Sequence, residues 1–588
     1  MRFASVAFIL SLCTLAGCAK RAADSAPSKA GVAESSALPA SWPYTDTSRA
    51  VTSAHGMVAT DAPLATHVGA AVLRDGGNAI DAAVATAFAL AVVYPGAGNI
   101  GGGGFLVVHM ADGREEALDF RETAPGAASR DMYLGANGHA DDRSITGSLS
   151  AGVPGSVMGL WEAHEKYGSL PWARLLAPAI ELADSGFVVD SDFSTSIHGD
   201  SARLMRFPAS AALFFPGGHA PAPGDRWKNP DLAAVLRRIS ADGPKGFYAG
   251  RTAELIDAQM QRSGGKISLA DLSGYRAKWR APIEFTYRGH RVISMPPPSS
   301  GGITIALIAH QLARYDLRAL GWHSPQELHL LTEAMRRGFA VRNNVLGDPD
   351  FVSIPTARLL SQQYADSLAS TIDAHRATPS SSITLAMAAS VEKKQTTHFS
   401  VVDGKGGAVA LTTTLNGDNG SAVVVAGGGF LLNDEMDDFA TEPGKPNMFG
   451  LVQGEANAIA PGKRMLSSMS PTIMMRQDNT PLLVTGAQGG PTIISTTFQL
   501  LSDIADYDMS IGAAVSAPRT HHQHLPDTLY YERGGIPEGT LNALQAMGYA
   551  TSAVGIHGDL GFAASILRRG GVVQGMADPR VHGLAEGY

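Results

Sequence analysis

Cysteine is almost absent from this chain. Its 588 residues contain two, Cys13 and Cys18, both at the extreme N-terminus. The body beyond them therefore has no thiol for nucleophilic catalysis and none for a disulfide. Charge is sparse as well: Asp, Glu, Lys and Arg make up 17% of the residues and the net charge is −8, which gives no reason to expect nucleic acid. No internal repeat, long heptad run, GxSxG elbow, HExxH pair or P-loop occurs. His521 to His524, "HHQH", lacks a standard zinc spacing and reads as core or turn residues. No metal or cofactor is expected.

What is present is a hydrophobic content of 45% and 66 glycines, the composition of a large folded protein with many tight turns. The first residues, "MRFASVAFILSLCTLAGC", give a basic Arg2, an apolar run and small residues, the pattern of a secretory signal over 1–17. Leu15 to Cys18, "LAGC", resembles a bacterial lipobox, which makes Cys18 the expected lipidated terminus. Ala/Ser/Pro-rich residues follow and predict a flexible tether over 18–52. The expected location is the periplasm, with Cys18 anchored in the outer membrane.

From Ser53 onward helices and strands mix. Asp61 is expected to cap a helix with Pro63 in its first turn. Asn78 to Val93 has helical spacing and is apolar nearly all round, so it predicts a buried helix. Gly96 to Gly101, "GAGNIG", matches GxGxxG, but the order is helix, glycines, strand. A dinucleotide site needs the reverse order, so packing or a turn is the better reading. Ser324 to Glu327 resembles a capping box. Thr371 to Lys394 is rich in Ser, Thr and Ala and reads as a connector. After Gln395 the chain turns to strands and glycine. Layered α+β packing is the expected class.

With the usual constellations missing, threonine remains. A threonine hydroxyl needs a base, and an α-amino group, with a pKa of about 7.7–8.0, is a suitable one. A cut just before a threonine supplies that amine. "KKQTTHFSVVD", at the end of the connector, offers such a place. Thr397 and His398, by contrast, read as ordinary strand positions.

That stretch is one of nine in order. "LDFRETAP", "GGNAIDAAVA…GNIGGGGF", "MPPPSSGG", "LNDEMDDF", "KRMLSSMSPT", "VTGAQGG", "APRTHH" and "ADPRVHGLAEGY" are the others. Together they resemble the γ-glutamyltransferase (γ-glutamyltranspeptidase) family of N-terminal-nucleophile hydrolases, from about Ser53 to Tyr588. The resemblance implies a four-layer αββα sandwich and a precursor that cuts itself between Gln395 and Thr396. The products are a large subunit, 53–395, and a small catalytic subunit, 396–588, which stay together as one intertwined heterodimer.

Thr396 is then the nucleophile on glutathione or another γ-glutamyl compound, with water, an amino acid or a dipeptide as acceptor, and Thr414 supports it. Arg121, Ser467 and Ser468 are implied to meet the substrate's α-carboxylate. Asn416, Glu435 and Asp438 are implied to face its α-amino group, and Gly489 and Gly490 to form the oxyanion hole. Residues Pro443 to Gly454 resemble a lid, with Phe449 where relatives often carry a gating tyrosine. The stretch after Asn416, "GDNGSA", lacks an aromatic common at Asn419. A related glutaryl or cephalosporin acylase and an inactive processed binding protein are the rival readings.

Overall fold

Both sides of the expected boundary at Gln395 contribute strands to the same two sheets. A computed structural model describes residues 38–39, 41–45, 49–383, 396–555 and 560–588. Gln395, Cys13 and Cys18 lie outside the described residues, and so do the expected signal and lipobox. One sheet has seven strands in the order Leu584–Gly587, Met57–Thr60, Thr397–Val402, Ala408–Thr414, Gly103–His109, Glu115–Phe120 and Lys278–Arg280. The other has eight. Val51–Ser53, Val572–Ala577, Phe562–Arg569, Pro481–Thr485, Thr472–Met475, His290–Ser294 and Ile283–Tyr287 follow one another, and Ala487–Gln488 pairs beside Phe562–Arg569.

Side chains alternate along the first sheet, and that alternation builds the layers. Val58, Leu106, Val108, Phe399, Val401, Val409 and Leu411 face helices Pro63–Arg74, Ala79–Val93 and Ser156–Tyr167. Met57, Ala59, Phe105, Val107, Val402, Ala408 and Ala410 face the second sheet. The outer side of that second sheet is covered by Gly301–Leu312, Thr492–Ala505 and Ile511–Ser516. The result is helix, sheet, sheet, helix, the four-layer α+β sandwich expected.

The predicted buried helix is present as Ala79–Val93, and every residue of it is buried. Asn78 and Asp81 close its first turn reciprocally, at 3.0 and 2.9 Å. Its many alanines let it lie close against two neighbouring helices, Pro63–Arg74 and Trp172–Ser185.

Three local expectations are corrected. Asp61 is not the helix cap: Ala62 holds that position without a side-chain bond. Asp61 turns inward instead, because a buried partner, the Thr397 hydroxyl, donates to it at 3.0 Å. Ser324 makes half a capping box, accepting from the Glu327 amide at 3.1 Å, while Glu327 reaches back to the His323 amide rather than to Ser324. The tether expected over 18–52 is docked near its end. Trp42 is 2% exposed and donates to the Ser516 carbonyl at 2.7 Å. The Arg580 guanidinium lies 5.2 Å from both the Trp42 and Tyr44 rings.

Candidate active site

Strand register brings the two threonines together. Thr397 pairs with Thr413, so the residue before it meets the residue after, and the Thr396 and Thr414 hydroxyls lie 3.3 Å apart. The Thr414 hydroxyl also accepts the Asn416 amide at 2.8 Å. Asn416 itself has φ of 83° and donates its side-chain amide to the Asp434 carbonyl at 3.1 Å. From the "GAGNIG" turn, Asn99 donates to the Thr414 carbonyl at 2.9 Å and to the Thr413 hydroxyl at 3.1 Å. That turn thus works by packing and hydrogen bonding at the end of the strand. Thr396 is buried, 5% exposed, at the head of a central strand.

His398 follows two residues on. Burial pushes its imidazole down to about 3, and it bonds the Thr412 hydroxyl at 2.9 Å, a neutral strand residue as expected. The Ser400 hydroxyl then crosses to the Ala564 carbonyl of the second sheet at 2.8 Å.

Next to this pair stands a buried charge cluster. Gly103 pairs with Thr414, and a Cβ on it would lie 2.8 Å from Glu122 Oε2, so glycine alone permits that approach. Arg121, wholly buried, directs Nη1 to Glu435 Oε2, with Glu122 Oε2 3.5 Å away, and Nη2 to Asp438 Oδ2 at 2.5 Å. Burial pushes the Glu435 and Asp438 carboxyls up, and the Arg121 charge opposes it. Glu122 is pushed up to about 7 for the same reason.

Asn433 braces the acidic turn by donating to the Gly101 and Gly152 carbonyls at 2.8 and 2.9 Å. Asn457 donates to the Asp438 carbonyl at 2.7 Å and accepts the Leu466 amide at 2.9 Å, which ties that turn to Ser467 and Ser468. The carboxylate and ammonium subsites implied by sequence are therefore not separate here: Arg121 is paired directly with the acids of the other set.

The Ser468 hydroxyl accepts Arg342 Nη2 at 3.3 Å, and the Ser467 hydroxyl accepts the Met469 amide at 3.1 Å. Gly489 and Gly490 have φ of 125° and 57° and sit just ahead of helix Thr492–Ala505. A Cβ on Gly489 would lie 2.5 Å from Thr492 Oγ1 and 2.9 Å from Gly561 Cα. Phe449 is 4% exposed, packed in the core, with its carbonyl held by Gln523 Nε2 at 3.2 Å. Gln523 belongs to "HHQH", in which His521 bonds Ser495 at 2.8 Å and His522 bonds Asp527 at 3.3 Å, while both ring nitrogens of buried His524 lack a hydrogen-bond partner among the described residues.

This architecture has relatives. A family model described as gamma-glutamyltranspeptidase matches residues 65–588. The chain belongs to the γ-glutamyltranspeptidase family. A glutathione hydrolase proenzyme of Escherichia coli (strain K12) is 43% identical over 537 residues, 91% of this chain and 92% of that protein. One from Pseudomonas aeruginosa is 45% identical over 534 residues, 90% and 94% of the two chains. Among solved structures, a cephalosporin acylase from Bacillus halodurans superposes with a TM-score of 0.81 at 28% identity, covering 94% of this chain and 99% of that one. Helicobacter pylori gamma-glutamyltranspeptidase gives a TM-score of 0.54 at 44% identity, over 54% of this chain and 92% of that one.

Within this γ-glutamyltranspeptidase fold, the sequence reading missed Asn99, Glu122, Arg342 and Asp61. Asn99 and Glu122 sit inside the quoted "GNIGGGGF" and "LDFRETAP" stretches, and Glu122 lies beside its partner Arg121, whereas Arg342 and Asp61 take theirs from distant segments. Asp61 has a measurable consequence. Burial pushes its carboxyl from the ordinary 3.8 up to about 7, against the Thr397 hydrogen bond. Between those values the folded chain holds a proton that the unfolded chain has released, so stability falls as pH rises through that window. Asp61→Asn removes this dependence. Thermal melts are expected to show the variant gaining on the parent between pH 4 and pH 7 and holding level above it; parallel curves would contradict the assignment.

Proposed function

We propose that the chain is a self-processing γ-glutamyltransferase and glutathione hydrolase. The observation that carries this is the buried Arg121–Glu435–Asp438 cluster beside the paired Thr396 and Thr414 hydroxyls. One cation and two acids in one place suit a zwitterionic amino-acid end. On binding, the substrate carboxylate takes the Arg121 donors while its ammonium takes Glu435, Asp438 and Asn416. Ser467 and Ser468 complete the carboxylate site.

Processing comes first. The Thr396 hydroxyl attacks the Gln395 carbonyl, the peptide C–N bond breaks, and an ester and a free α-amine form. Water opens the ester, leaving the Gln395 carboxylate and the Thr396 hydroxyl. In turnover that amine takes the hydroxyl proton as Oγ attacks the γ-carbonyl, and then passes the proton to the departing amine. Water or an acceptor amine resolves the γ-glutamyl ester. The Gly489 and Gly490 amides, at the positive end of a helix, receive the developing oxyanion. Thr414 orients the nucleophile. Phe449 and its loop cover the site, and the two subunits remain joined through the shared sheets.

A chromogenic γ-glutamyl anilide tests the reading, with a glutaryl anilide alongside. Release of the first by the processed protein, at least about a hundredfold faster than the second, is expected, because the glutaryl chain leaves Glu435 and Asp438 without their ammonium. A preference for glutaryl would establish instead the acylase reading, which a 38% identical Acylase ACY 1 proenzyme of a Pseudomonas strain keeps in view.

The Cys18 lipid anchor and periplasmic location belong to the same proposal. They are supported by the "LAGC" sequence. No helix among the described residues is long and apolar enough to cross a membrane. The mass of the large chain from a bacterial membrane fraction decides: diacylglycerol on Cys18 supports the anchor, and an unmodified N-terminus beyond it refutes it.

A further inference from the structure

Arg342 lies near the end of helix Pro325–Val345, in a stretch with no catalytic motif, yet it is 1% exposed. A buried guanidinium needs partners, and besides its helix neighbour Asn343 it has two serines, one of them Ser468 of the candidate site. Nε donates to the Ser300 hydroxyl at 3.2 Å, Nη1 to Asn343 Oδ1 at 3.1 Å, and Nη2 to the Ser468 hydroxyl at 3.3 Å. Ser300 in turn donates to the Ser467 carbonyl at 2.6 Å. Arg342 therefore braces both serines of the carboxylate subsite, one directly and one through Ser300.

Its effect on Ser468 follows from donor counting. A hydroxyl oxygen that accepts from a guanidinium turns its own proton away, where a carboxylate can accept it. The second effect is electrostatic. Asp438 pairs with Arg121 and receives Asn447 of the lid loop at 3.4 Å, and it feels the charges of Glu122, of Glu435 on its own turn and of Arg342. Arg121 is shared among three acids and must also take the substrate carboxylate. Arg342 is the other cation acting on Asp438, and although burial pushes it down to about 10 it stays charged near neutrality.

We propose that Arg342 is a positioning residue for substrate binding, which holds the Ser468 hydroxyl and the Asp438 carboxylate ready for the two ends of an α-amino acid. The inference rests on the γ-glutamyl reading of the same site. Arg342 touches no reacting atom and acts through Ser468 and Asp438.

The test uses the full chain after self-cleavage, with γ-glutamyl p-nitroanilide, and Arg342→Met, Arg342→Lys, Asp438→Asn and the Met/Asn double variant. Arg342→Met is expected to raise KM about tenfold or more with kcat within about threefold, the loss of a charge-assisted contact made before chemistry. The acid limb of its kcat/KM profile moves to higher pH, since Asp438 keeps its proton longer. The double variant loses less than the two single losses combined, because both act on one interaction. An unchanged KM and acid limb, or losses that simply add, overturn the proposal. If Arg342→Met does not cleave itself, Arg342→Lys decides: a raised KM with an unmoved acid limb supports the proposal, and a wild-type KM overturns it. No turnover by the unaltered protein would instead defeat the γ-glutamyl reading itself.

Discussion

Thr396→Ala is expected to remain one chain on a denaturing gel and to release no product from a γ-glutamyl anilide. Both outcomes follow from one missing oxygen. Without Oγ nothing attacks the Gln395 carbonyl, so the connector stays joined to the strand and no α-amine forms. Loss of a nucleophile costs about 10⁶-fold in comparable covalent hydrolases, so residual turnover should fall below detection. The substitution itself is mild. Thr396 precedes the first residue of strand Thr397–Val402, and the ladder from Thr397 onward keeps its backbone bonds. A melting temperature close to that of the parent is therefore expected, which separates lost chemistry from lost folding. Two bands from this variant would refute self-cleavage at Thr396. Thr396→Ser is the companion: it restores the oxygen and should restore the cut.

Arg121→Gln carries the second large effect, and on two observables. Arg121 is wholly buried and compensates Glu435, Asp438 and Glu122 together. Removing one partner of a buried ion pair costs about 3–5 kcal/mol, because the other charge is left uncompensated. Those acids respond by taking up protons, being already raised by burial with Arg121 as the opposing charge. Ammonium binding then weakens along with carboxylate binding, and KM should rise by about a hundredfold or more. The lost stability should be partly regained as pH falls, since protonation discharges the uncompensated acids. Arg121→Lys is not expected to rescue it, because one ammonium cannot fork to Glu435 and Asp438 at once. Near-normal KM in Arg121→Gln would remove the residue from the substrate site.

Much of the fold was legible along the chain. The turn to strands after Gln395 was legible, because alternation along a strand is local geometry; in the structure Val401 and Leu411 face one layer and Val402 and Ala410 the other. The helical spacing and apolar run of Asn78 to Val93 defined the central helix for the same reason, and the structure makes Asn78 its cap. The family resemblance picked out Thr396, Arg121, Glu435 and Asp438 as candidates. Which side chains face one another was not legible there. Asp61 had the right place for a helix cap, yet a hydroxyl more than 300 residues away claims it. Trp42, in a stretch whose composition suggests a tether, is buried because Ser516 and Arg580 stand where it lands. Arg121 meets Glu435 and Asp438, and Arg342 meets Ser468, only because two stacked sheets fold strands from both halves of the chain past one another. Propensity and periodicity act over a few residues and can be read along the chain. A buried charge takes its partner from whatever the topology brings within hydrogen-bond distance, and that is written in no single segment.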